Sequence, residues 1–162
     1  MNKNNKVLGK VIEHALSGEG AHAGSLGIFD GLDWKVAGTC PASAPHSLFQ
    51  LLNHIVYWQD WVVKWLGGKT PPIPKHASGG WLGNVSPGSK QEWERAVKAF
   101  HRGLKSLERA AGSTDLLAKR GNKNALQMLQ AIASHNSYHL GEATLLRQLL
   151  GAWPPPSGGL TW

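Results

Sequence analysis

The chain has 162 residues, 41% of them hydrophobic, with a net charge of +7 and a single cysteine, Cys40. That length suits one domain whose core needs no staples, and a lone cysteine excludes an intrachain disulfide. The 17 Lys and Arg are dispersed with no dense basic block, so the charge reads as solubility and a nucleic-acid partner is not expected.

The opening stretch, residues 5–17, carries Val7, Leu8, Val11, Ile12 and Ala15 at helical spacing. Lys10, Glu13 and His14 interrupt it, so neither a signal peptide nor a membrane span is expected, and the expected location is the cytoplasm. A glycine-rich break follows at residues 18–24, then a short helix over Ser25 to Leu32 and a loop from Asp33 to Pro45. Ser47 and Gln50 form a capping-box pattern at the start of a helix that runs to about Leu66, where Gly67-Gly68 ends it. Its apolar stripe is Leu48, Leu51, Leu52, Ile55, Trp58, Val62 and Trp65, with His54 in or beside it. Trp58, Trp61 and Trp65 repeat at three and four, a pattern of core or dimer interface.

Residues 67–88 hold four prolines and six glycines, which rule out regular structure over most of the segment. Ser89 and Glu92 then give a second capping box, ahead of Trp93, Ala96, Val97, Phe100, Leu104, Leu107 and Ala111, with Gly112 at the stop. A loop leads to Lys123; Asn124 and Gln127 cap a last helix from about Ala125 to Leu150, which Pro154 to Pro156 cannot continue. No strand pattern competes. The expected fold is all-α, a single domain over residues 1–162: a four-helix bundle with a long crossover loop between its second and third principal helices.

On the last helix Met128, Ile132, His135, His139, Glu142 and Leu146 share one face. Two imidazoles in an apolar face are costly unless their nitrogens are satisfied, and histidines at i and i+4 can reach one metal ion. The residue after His135 is Asn136, not the Glu of a zinc-protease motif, so Glu142 is the better placed base or water partner. A third ligand is needed, and His54 on the earlier helix is the strongest candidate. Spacing alone leaves two readings open: a shared His54, His135 and His139 site, or core histidines bonded to neighbours. Asn136 and Tyr138 flank the pair and are candidates to bond a ligand imidazole, a water or a substrate. His22 is a candidate for the mouth of the site or for substrate binding, and His46 for an outer or capping neighbour. His14, His76 and His101 read as surface residues, and Arg147 as one half of a structural ion pair.

The stretch His135-Asn-Ser-Tyr-His139-Leu-Gly-Glu142, followed by Arg147 and Trp153-Pro-Pro155, resembles the last-helix signature of the DinB/YfiT-like family. Pro45 to Trp58, with His54, is similar to that family's ligand-bearing second helix. The resemblance implies a four-helix bundle, a divalent metal on His54, His135 and His139, and a homodimer. Three histidines suit several transition metals, and zinc or nickel is expected. The activity it implies is metal-dependent hydrolysis of a small-molecule substrate, or S-transfer with a low-molecular-weight thiol as a further cofactor. The alternative is a non-catalytic metal- or ligand-binding stress-response protein. Cys40 has no evident activating partner and is not expected to be a nucleophile.

Overall fold

The computed structural model describes residues 3–41 and 43–159. Four long helices carry the fold: α1 (Lys3–Ser17), α3 (Leu48–Leu66), α4 (Lys90–Ser113) and α5 (Ala125–Leu149). A single-turn helix, α2 (Trp34–Ala37), stands in the segment expected to be loop; Asp33 caps it by accepting from the Lys35 N–H. A two-residue hairpin, β1 (Lys119–Arg120) with β2 (Lys123–Asn124), lies just before α5. Its strands are too short to leave a period-two pattern, and the turn signal is Gly121 at φ 64°. The short helix expected over Ser25 to Leu32 is one 3-10 turn at Ser25–Gly27.

Around the bundle the order is α1, α4, α3, α5, with α1 opposite α3 and α4 opposite α5. Side-chain pairs fix the directions. Asn5 bonds Thr114 O, and Gly9 abuts Ala111, so α1 and α4 run antiparallel. His54 meets His135 while Trp65 meets Arg120, so α3 and α5 run antiparallel as well. Between α3 and α4 the 67–88 segment travels back along α3 as a strap. Trp61, His54, Gln50 and Ser47 donate in turn to the carbonyls of Pro72, Gly80, Leu82 and Val85. Those four residues form a stripe on α3 at spacings of seven, four and three. The strap therefore ends where α3 began, and α4 starts parallel to its neighbour. This is the crossover that the length of the loop suggests.

The capping boxes at Ser47/Gln50 and Asn124/Gln127 are both complete. The one at Ser89 is half made: Ser89 accepts from Glu92 N–H, but the Glu92 carboxylate accepts from Gly88 N–H at 2.6 Å. The core is built from Leu48, Leu52 and Ile55 of α3, Phe100, Leu104 and Leu107 of α4, and Leu129, Ile132 and Leu140 of α5. Each such side chain contributes about 1.5–3 kcal/mol on burial.

α1 departs from its expected stripe. It buries Asn5, Gly9, Ile12 and Leu16 and leaves Val7 and Val11 exposed. The cause is the close crossing with α4: a Cβ on Gly9 would stand 2.6 Å from Ala111 O. Asn5, polar and buried, donates to Thr114 O and accepts from Leu116 N–H, tying α1 to the chain beyond α4. Arg147 also departs from expectation. It is 2% exposed and makes no carboxylate pair among the described residues; its guanidinium donates to the carbonyls of Ile28, Asp30 and Ala152.

Candidate metal centre

His54 comes from the second turn of α3, whose register the Ser47 capping box sets. His135 and His139 come from one face of α5, which the Asn124 box starts. Because α3 and α5 are antiparallel neighbours, the three rings meet. Their centroids are 4.6 to 5.0 Å apart, close to an equilateral triangle. One nitrogen from each lies within 4.8 Å of the others, a set able to hold a metal ion.

The outer nitrogens determine what the inner ones offer. His54 Nδ1 lies 2.9 Å from Gly80 O, and a carbonyl only accepts, so Nδ1 carries the proton and Nε2 a lone pair. His139 Nδ1 lies 2.7 Å from Glu142 Oε2, which turns its Nε2 into the acceptor in the same way. His135 Nε2 stands 3.1 Å from His54 Nε2. Two imidazole ligands of one tetrahedral zinc stand about 3.3 Å apart, given Zn–N bonds of about 2.0–2.1 Å. The three donors, with the His54–His135 spacing close to that value, could therefore hold a metal ion.

Burial favours the neutral form of His135 and His54. It pushes His135 down to about 4 from 6.5, aided by the neighbouring His139 and His54. It also lowers His54, against the Gly80 carbonyl, which raises it. A neutral imidazole binds metal without first losing a proton.

Aromatic rings close the site. Trp81, from the strap, stacks on His54 at 3.8 Å and on His46 at 3.6 Å, centroid to centroid. Two rings that close must occupy opposite faces, so the indole is sandwiched between the histidines. Trp58 stands edge-on to His54 and His135, at 6.4 and 6.3 Å. Trp61 holds Pro72 of the strap, and Arg120 covers Trp65 while its guanidinium donates to Trp65 O. The tryptophan stripe of α3 thus holds the strap and hairpin against the helix.

The remaining candidates separate. Glu142 is in the cluster, as the partner of His139. Tyr138 is 67% exposed and sets its ring at 5.0 Å from that of His139. Asn136 is 1% exposed and turned towards the core. It lies close enough to His135 to raise that ring's pKa slightly. It does not reach hydrogen-bond geometry: His135 Nδ1 and both polar atoms of Asn136 are buried with no partner among the described residues. His22 is elsewhere. Its Nε2 meets Ser137 Oγ at 3.0 Å, and Ser137 lies about 200° around α5 from His135 and from His139. Gly18, at φ 82°, makes room for the His22 ring, which a Cβ there would strike at 2.5 Å. His22 therefore pins the segment after α1 to the other side of α5. His101 is half-buried rather than a surface residue, with Nε2 2.9 Å from Leu26 O.

Trp81 and the Gly80 carbonyl are the parts of the site that the sequence reading missed. A backbone acceptor leaves no residue signature. The only hint of Trp81 was one large aromatic residue in a loop otherwise rich in Gly and Pro.

No curated protein and no solved structure matches the chain. A sequence model of the DinB superfamily matches residues 19–143, a span that takes in all three histidines and Glu142. With most of its length matched and its helices arranged as a bundle around that cluster, the chain belongs to the DinB superfamily.

Proposed function

We propose that this chain is a metal-dependent enzyme acting on a small molecule, with zinc or nickel held by His54, His135 and His139. The observation that carries the reading is the fixed inward aim of two Nε2 atoms, His54's by Gly80 O and His139's by Glu142. A divalent cation held there supplies Lewis acidity and favours the ionised form of a hydroxyl or thiol beside it. Imidazole ligands would bring no negative charge of their own to that cation. Glu142 holds the Nδ1 proton of His139 and places one carboxylate next to the cluster. Trp81 and Trp58 shield two sides of the triad from solvent, which strengthens the electrostatics inside. The activity is hydrolysis of an ester or amide, or transfer of a low-molecular-weight thiol to an electrophile.

The test is a turnover panel of activated esters, and of electrophiles with added thiols, run on metal-loaded and chelated protein. The reading predicts turnover in at least one arm that disappears on chelation and returns with zinc or nickel. Equal activity before and after complete metal removal would contradict it.

A further inference from the structure

Next to the triad lies a groove of about 380 Å³ that the metal cluster itself does not explain. Two residues belong to both places. Glu142 walls the groove and binds His139 Nδ1. His46 walls it and stacks on Trp81, whose other face covers His54. From there Leu51 of α3 and Leu145, Leu146 and Leu149 of α5 form the sides. Leu149 is seven residues past Glu142, about 10 Å along the helix axis. The groove therefore has a polar part at the cluster and an apolar part leading away from it.

Four features say what fits there. None of the 17 Lys and Arg of this positively charged chain lines the groove, so no Lys or Arg is there to pair with an anionic tail. Among the described residues, Glu142 is the only carboxylate on its wall. Its volume is that of a small-molecule site. Leu145 and Leu149 are 56% and 64% exposed, so their apolar surface is free to be covered.

We propose that the groove is the substrate-tail subsite: the substrate carries a metal-ligating head and an uncharged hydrocarbon tail, and the tail lies along Leu51, Leu145, Leu146 and Leu149. This rests on the metal reading above, since the cation at the triad holds the head. It also places any highly polar thiol cofactor outside this groove.

The probe is a series of n-alkyl hydroxamic acids of two to eight carbons, titrated into zinc-loaded protein by calorimetry. The expected result is an affinity gain of up to about fourfold per added methylene, levelling off where the groove ends. In Leu145→Lys and Leu149→Lys that gain shrinks, while the two-carbon member binds as in the wild type. Both positions are on the exposed lip, and zinc content and thermal melts establish that the variants are loaded and folded. A flat chain-length series on protein that holds zinc would overturn the tail assignment and leave the metal reading standing. Failure to hold zinc would overturn both. A flat series together with a wild-type dimer that the lysine variants dissociate would overturn it too, and would assign the leucines to self-association.

Discussion

Glu142 and the Gly80 carbonyl act at the outer nitrogens of His139 and His54, and so set which nitrogen each ring offers inward. Removing the carboxylate alone should weaken metal binding about 10–100-fold, the usual effect of losing such a partner. We expect Glu142→Ala to show this in a zinc competition titration, and Glu142→Gln to lose less, because its amide oxygen still accepts. His135 makes a separate prediction. Its folded pKa of about 4 lies below the ordinary 6.5, so between those values the unfolded chain binds a proton that the folded chain refuses. Stability from this group is complete above pH 6.5 and is lost as pH falls towards 4. Thermal melts of metal-free protein should fall across that window, less steeply for His135→Gln. The pair at i and i+4 and His54 were legible because helical spacing is a property of side chains on a known period. Gly80 and Trp81 were not, because their positions depend on a strap whose path no local pattern encodes.

At the scale of elements, backbone contacts decide the two departures from the sequence pattern. α1 turns Gly9 rather than Val7 and Val11 inward because α4 passes close at Ala111. Gly9→Ala would gain up to about 1 kcal/mol of helix propensity. It would also place a methyl 2.6 Å from Ala111 O, an overpacking that costs about 1–3 kcal/mol. The expected outcome in denaturant unfolding is a net loss of stability. Arg147 joins the end of α5 to the segment after α1 through three carbonyls. Arg147→Met keeps much of the bulk but strands those acceptors, and should cost about 3 kcal/mol or more in the same measurement. The helices themselves were largely legible: the caps at Ser47, Ser89 and Asn124 lie at the starts of α3, α4 and α5. The β1–β2 hairpin and α2 were not, since two-residue strands and a four-residue helix are shorter than any period they could display.

For the whole molecule, the strap is what completes the surroundings of the histidine cluster. It lets α3 and α4 run parallel, leaves α5 antiparallel beside α3, and brings Gly80 and Trp81 to His54 on the way. The family and the bundle follow from the matched span and the helices; the central claim is that the three imidazoles hold one metal. The most direct measurement is elemental mass spectrometry of protein purified without a histidine tag, beside His54→Ala and His139→Ala, with circular dichroism to establish that both variants fold. The account predicts one equivalent of a transition metal per chain in the wild type, lost in both folded variants although the residues come from different helices. No metal in the wild type after incubation with zinc or nickel, or undiminished metal in either variant, would contradict it.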